Sequence, residues 1–539
     1  MMVGRDPEEH PPAETTSGGA VAAHLGRRIA LNTVLNLLGR FVYVVGWALT
    51  APFMLERLGV ERFGLWSLIT VISGLYLTFD LGLSHALTKF VAEFRASGDR
   101  RALRGIFTLG IALFSGLGLV MITLLVLFRT PVVAFFRVGS ELRDEAGWAL
   151  IGAAVVYGLL NAYTSMSSVL SGLQRLDLWN QISILVTLLQ LLGIWLVLIW
   201  GMGIRGLVVN TGIALAIGTI LSWMVVRRLA PEIRIDLSSP SRPLWHRLRS
   251  FGAALQIINL GVLIQFQLDK VLFARFVSLG AVASYEFAFR LTSAFWALPS
   301  LLLTPLLPAV AHLDALAEKE RIARLYRRAS RYVLALAFPL AGGMILFAPR
   351  LFFVWLGPGH EDAVLAARAL AALMGVNILT GVGSTVVRGV GRPGLEAEYH
   401  ALAMALHVVL SFVLIPRFGF PGGLGALFAS GAIGSLYFVW RFHRYLGEPN
   451  GRFVIEILAW PLAAAVAAAT LAGLLWGTGG PITSRAVAMA NLSGASVVFA
   501  LTAAAVLLIG RYLSLAEIRE LVAMIRHGPT AASDERGER

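Results

Sequence analysis

Six ionisable side chains, Arg40, Asp80, Asp269, Lys270, Glu286 and Arg290, stand inside long runs of otherwise apolar sequence. An ionised group in hydrocarbon costs at least ~2.5 to 3.5 kcal/mol, so such residues face a partner or a watery cavity and mark a path for a polar solute. Arginine favours one class of solute, because its guanidinium keeps its charge and grips a phosphate or carboxylate through parallel N–H donors. Arg40 and Arg290 each lie about 15 Å into their apolar runs at 1.5 Å per residue, near mid-depth, and are placed to hold a phosphate or pyrophosphate between them. Asp80 and Glu286 offer carboxylates to a coupling ion, H⁺ or Na⁺. Glu286 and Arg290 are also spaced i, i+4, so an intrahelical ion pair is the competing expectation. Lys270 is a further cation for the same anion, although it is close enough to the outer end of its run to snorkel. Asp269 points to the other side of that helix, toward a structural partner.

Helical periodicity adds neighbours to these charges. Asn32, Asn36, Arg40, Tyr43, Trp47 and Thr50 share one face of the first apolar run. Asn36 can hydrogen-bond a polar ligand there, and Tyr43 and Trp47 can stack against sugars. A second stripe, Thr70, Ser73, Asp80, Ser84 and Thr88, recurs about 220 residues later as Glu286, Arg290, Ser293, Ser300 and Thr304. Catalytic chemistry finds no such support. The chain has no cysteine, hence no thiolate nucleophile and no disulfide. His85, His312 and His407 are isolated at helical spacing and suggest no metal centre. All connections are short, which leaves no room for a catalytic domain, so neither an enzyme nor a cofactor is expected.

The elements that carry these residues are membrane helices. Of 539 residues, 57% are hydrophobic and 14% charged, against roughly 25% charged in soluble domains. Fourteen runs are long enough to cross a hydrocarbon core, each roughly 20 residues or more. The fold expected is an all-α polytopic membrane protein: a tail at 1–28, six spans over 29–229, a linker at 230–249, six spans over 250–446, two extra spans over 453–512 and a tail at 513–539. The acid- and proline-containing start does not resemble a signal peptide, so the first span is expected to insert uncleaved. A formal charge of +14 does not imply nucleic acid, because 31 of the 45 Lys and Arg fall in the tails and loops on the N-terminal side. This is the positive-inside pattern, predicting cytoplasmic N- and C-termini with basic loops facing anionic lipid. Ser514 and Glu517 form a capping-box motif at the start of an amphipathic tail helix, read as a surface anchor.

The chain also repeats itself. When the segment from Ser168 is laid on that from Thr385, Gly172 falls on Gly389 and Arg175 on Arg392; Leu58-Gly59 falls on Leu279-Gly280. Six spans separate the copies, so both have the same orientation, and parallel repeats build two lobes around a central cavity.

Around the second span the motifs Phe63-Gly64-Leu65-Trp66, Asp80-Leu81-Gly82-Leu83 and Ala86-Leu87-Thr88-Lys89-Phe90-Val91 resemble the polysaccharide transporter, or Wzx-type O-antigen flippase, family of the multidrug/oligosaccharidyl-lipid/polysaccharide (MOP) exporter superfamily. The resemblance extends more diffusely over the first twelve spans. It implies a monomer in a bacterial inner membrane that moves an undecaprenyl-pyrophosphate-linked oligosaccharide, an O-antigen or exopolysaccharide repeat unit, from the cytoplasmic to the periplasmic leaflet. It also implies a polysaccharide polymerase and chain-length machinery as partners. Arg40 and Arg290 match the family's cavity arginines by helix and depth. Many such flippases have twelve spans. The extra pair here is similar to that of lipid II flippases, where it helps hold the lipid tail. A drug or cation antiporter of the same superfamily is the nearest alternative, and a glycan polymerase or ligase is least favoured because the external loops are short.

Overall fold

The computed structural model describes residues 16–74, 83–236, 264, 267–476, 484–514 and 517, with side chains from Leu38 onward. Among these residues the regular structure is helical and contains no strand. Eleven helical stretches are long and apolar enough to cross a membrane, and two of them are hairpins. In Gly394–Leu446, Gly419 adopts φ 60° and ψ −137°, a conformation that glycine reaches at little cost. The arms then lie antiparallel: the Tyr399 and Phe438 rings are 5.0 Å apart, and Ser430 reaches His407. In Thr16–Gly74, Gly59 does the same with φ 75°. Trp47 and Phe63 would lie about 24 Å apart on one straight helix, yet their rings stand 6.2 and 4.3 Å from that of Phe287. Splitting both stretches makes thirteen among the described residues, and the span expected at 250–276 is helical where it is described, at 264 and 267–276.

The repeat is visible in the packing. In the first lobe Arg143–Gly172 is the central helix, flanked by Arg100–Leu127 and Gly203–Leu229; in the second, Glu361–Gly389 takes that place between Lys319–Leu356 and the Gly419 hairpin. The aligned glycines do the same work in each. A Cβ on Gly172 would come within 2.8 Å of Val91 and of the Thr88 carbonyl, and one on Gly389 within 2.6 Å of Val310 and 3.4 Å of the Leu307 carbonyl. Bare backbone at these points lets the second span of each lobe cross the fourth closely.

Proline divides the span that carries Glu286 and Arg290. Leu279–Leu301 stops two residues after Pro299, and Leu306–Ala315 starts beyond Pro305, whose missing N–H cannot continue the ladder. The last two spans, Ala459–Trp476 and Arg485–Ile509, pack on each other and on Lys319–Leu356. Their contact is an alanine stripe, Ala464, Ala468, Ala472, Ala495 and Ala503, in a core of its own with Phe347 and Phe499. The capping box after them is formed: the Ser514 N–H donates to Glu517 at 2.9 Å and the Glu517 N–H to Ser514 Oγ at 3.1 Å.

Candidate functional site between the lobes

The two lobes join through the Thr16–Gly74 hairpin and Leu279–Leu301. Val60 lies against Gly280, Gly64 against Leu279, and Trp355 donates its indole N–H to the Ala48 carbonyl at 2.6 Å. These contacts gather at the end of the bundle that carries the Gly59 turn. Deeper in, an aromatic layer of Trp47, Phe287 and Trp355, with ring separations of 5.6 to 6.2 Å, closes the face.

Arg290 crosses from one lobe to the other immediately beyond this layer. Its Nε donates to Glu286, one turn back on its own helix, and its Nη1 donates to the Tyr43 hydroxyl at 2.7 Å. Its guanidinium lies over the Trp47 ring, 4.6 Å from the centroid, close enough for a cation–π attraction. The i, i+4 ion pair expected from spacing is therefore present, and Glu286 holds a second cation as well: Lys270 Nζ is paired with the same carboxylate. One negative charge thus binds two positive ones, and the triad keeps a net charge of +1. Arg290 retains one quarter of its side-chain exposure while Lys270 and Glu286 are enclosed. The expectation that Lys270 snorkels is corrected here. The ammonium turns inward because Glu286 offers it a counter-charge and Phe289 a ring face at 5.4 Å.

Of the other residues singled out in the sequence, Arg40 lies exposed one turn before Tyr43. At three residues' spacing the two share a face and are separated by about 4.5 Å along the axis. Arg40 has no ion pair among the described residues. The side chain of Asn36, and Asp80 altogether, lie outside the described residues. Trp47 is committed to Arg290, Phe287 and Trp355. His407, read as isolated, is not: its Nε2 stands 3.3 Å from Asp269 Oδ1. Asp269 is indeed turned away from Lys270, into the Gly419 hairpin, where Ser411 donates to it at 3.3 Å. The 142 residues between Asp269 and Ser411 hide that meeting from any reading of local spacing.

Two helical lobes related by a parallel repeat and meeting at a cationic face have the architecture of a membrane transporter. Residues 25–313 match the family described as "Polysaccharide biosynthesis protein". That is over half of the chain, and the chain belongs to this family. Among curated proteins it is 21% identical over 448 residues to the probable low-salt glycan biosynthesis flippase Agl15 of Haloferax volcanii, covering 82% of this chain and 88% of that protein. Among solved structures it superposes on the lipid II flippase MurJ in an inward closed conformation with a TM-score of 0.69 at 13% identity, over 89% of this chain and 99% of the other. An inward-facing multidrug resistance MATE family transporter of the MOP superfamily gives a TM-score of 0.58 at 15% identity, over 77% and 94%. The structural likenesses concern the fold alone.

Proposed function

We propose that this protein is a flippase that carries a polyprenyl-pyrophosphate-linked oligosaccharide, an undecaprenyl-linked repeat unit of a surface polysaccharide, from the cytoplasmic to the periplasmic leaflet of a bacterial inner membrane. The observation that carries this reading is the state of Arg290. With Nε on Glu286 and Nη1 on Tyr43, its fork still has the Nη2 donors for an incoming anion, and Arg40 adds a second exposed guanidinium on the Tyr43 face. Two arginines and a net positive triad suit a pyrophosphate; a cation substrate would meet repulsion here. Membership of a polysaccharide biosynthesis family and likeness to a glycan flippase support the lipid-linked glycan.

Transport would follow alternating access. With the N-terminus inside, as the basic residues predict, the Gly59 end faces the periplasm, so this arrangement is closed outward and takes substrate from the cytoplasmic leaflet. Binding at Arg290 would compete for the guanidinium with Tyr43 and Trp47 of the other lobe, loosening the contact that holds the outer end shut. A ligand shifts such an equilibrium only by its preference for one state, and this competition supplies one. Asp80 and Glu286 remain the proposed carboxylates for a coupling ion, H⁺ or Na⁺, in this scheme.

The test is deletion in the host followed by quantification of lipid-linked oligosaccharide in each leaflet. The glycan lipid is expected to accumulate in the cytoplasmic leaflet, with rescue by the wild type and none by Arg40→Ala or Arg290→Ala at equal membrane abundance. Unaltered lipid-linked glycan combined with new sensitivity to cationic drugs would establish the antiporter instead.

A further inference from the structure

Beside the aromatic layer that closes the Gly59 end, the second lobe carries a groove that the transport scheme leaves unused. Trp355 of that layer packs on Phe352 with ring centroids 5.8 Å apart. Phe352 in turn lines a cavity of about 320 Å³, within the range of ligand pockets, roughly 300–1,000 Å³. One wall is the end of Lys319–Leu356, with Pro349 and Phe353; the other is the start of Glu361–Gly389, with Glu361, Leu365 and Arg368. The guanidinium at the inner end is fixed by an omission. Pro349 has no N–H to give the Ile345 carbonyl four residues back, and Arg368 Nε donates to that oxygen instead at 3.0 Å. Arg368 is exposed, and its Nη donors have no other partner among the described residues. A second cation stands at the rim. Gly357 adopts φ 96°, and a Cβ there would lie 2.9 Å from Arg485 Nη2 at the head of the last span, so the bare glycine makes room for that guanidinium.

Polarity along the groove selects the ligand. Glu361–Gly389 has 29 residues, about 43 Å of helix, which matches a whole bilayer with its headgroup layers, roughly 40–45 Å. Arg368 lies about 10 Å along from the outer end, near the foot of the outer headgroup layer. An exposed cation at that depth suits a lipid phosphate whose chain descends into hydrocarbon. Above it come the walls of Phe353 and Pro349, and beyond them the Glu361 carboxylate, which accepts from hydroxyls. A sugar fits that order, its C–H face against the aromatic ring and its hydroxyls toward the acid. Phosphatidylethanolamine does not, because the two carbons between its phosphate and its ammonium cannot span the distance from Arg368 to Glu361. We propose that this groove is a second binding site, for the phosphosugar headgroup of a glycan lipid standing in the outer leaflet. Its place beside the closing layer makes it the next station for a headgroup that has passed between the lobes. That order of events rests on the proposed function; recognition of the headgroup by the groove does not.

The full-length protein in lipid nanodiscs tests this through a reporter at the rim. The cysteine-free chain permits Asp362→Cys, exposed beside the groove, to carry a polarity-sensitive fluorophore during titration with undecaprenyl-pyrophosphoryl-N-acetylglucosamine. A saturable response is expected, with a midpoint about tenfold higher in Arg368→Gln, which removes a hydrogen bond between charged groups. Leu365→Trp, at an exposed position on the wall, fills the groove while leaving the guanidinium in place and should abolish the response. Should Arg368→Gln fail to fold, Leu365→Trp decides alone, and an unchanged titration in it overturns the site. Phosphatidylglycerol separates the two sources of lipid phosphate: a response to it as strong as that to the glycan lipid overturns the sugar assignment. Arg290→Ala should leave the midpoint where it is. Loss of the response in that variant would mean that the fluorophore reports the interlobe site, and would overturn a separate one. Unaltered lipid-linked glycan in the deletion host would refute the flippase reading while this titration stood, so the two fail separately.

Discussion

Glu286 neutralises a buried ammonium and orients an exposed guanidinium with a single carboxylate, and the two tasks respond differently to substitution. In Glu286→Gln, Lys270 keeps its burial and loses its counter-charge; stranding one member of a buried pair costs about 3–5 kcal/mol. The thermal midpoint of the purified protein should fall sharply, and Lys270→Met on that background should restore most of it, since removing both charges removes the conflict. Arg290→Lys behaves otherwise. The charge remains, but an ammonium has no planar fork to serve Glu286, Tyr43 and an anion at once while covering Trp47. Export should drop with little change in thermal midpoint. The Glu286–Arg290 pair was legible in the sequence because both residues sit on one helix. Tyr43 joins them from 247 residues away, and only the assembled lobes reveal that contact.

At the scale of elements, helix ends and crossings carry the most specific commitments. Gly64 sits where the second span passes the start of Leu279–Leu301, and a Cβ there would lie 1.9 Å from the Leu279 carbonyl oxygen. Backbone cannot yield as a side chain can, so Gly64→Ala should force the lobes apart at this end. Cross-linking between cysteines at positions 60 and 277 should fall while insertion persists, and unchanged cross-linking would mean that the crossing is not held by this contact. At the other extreme of the chain, reciprocal Ser514–Glu517 bonds hold the Glu517 carboxyl below the usual glutamate range, the Ser514 backbone N–H contributing most. A depressed carboxyl stabilises the folded state above its unfolded pKa and loses that contribution as pH falls through the folded one. Proteolysis at the tail should therefore accelerate only below about pH 4.3, the free glutamate value. The serine and glutamate were readable as a box because capping depends on three-residue spacing alone. Their docking through the Tyr332 hydroxyl, 3.2 Å from Glu517, was not.

Over the whole molecule, hydropathy revealed the spans because hydrocarbon length sets a minimum that every crossing must meet. It also marked the turns at Gly59 and Gly419, because Glu56, Arg57, Glu61 and Arg62 flank the first and Arg417 and Pro421 the second, although helical backbone runs up to each glycine. The parallel repeat makes a stricter demand than the count. If six spans separate the copies, Ser97, after the second span, and Lys319, after the eighth, lie on one side of the membrane, while Gly139 and Glu361, after the third and ninth, lie on the other. All four positions are exposed, and the chain has no native cysteine to confuse labelling. Single cysteines there, treated in intact cells with an impermeant maleimide, should react at 139 and 361 and stay protected at 97 and 319 until the membrane is opened. Protection of 139 and 361 instead would invert the topology and with it the direction of transport. Labelling of 97 without 319 would break the repeat itself, because one lobe would then be upside down and Arg290 would no longer approach the first span from a lobe of matching orientation.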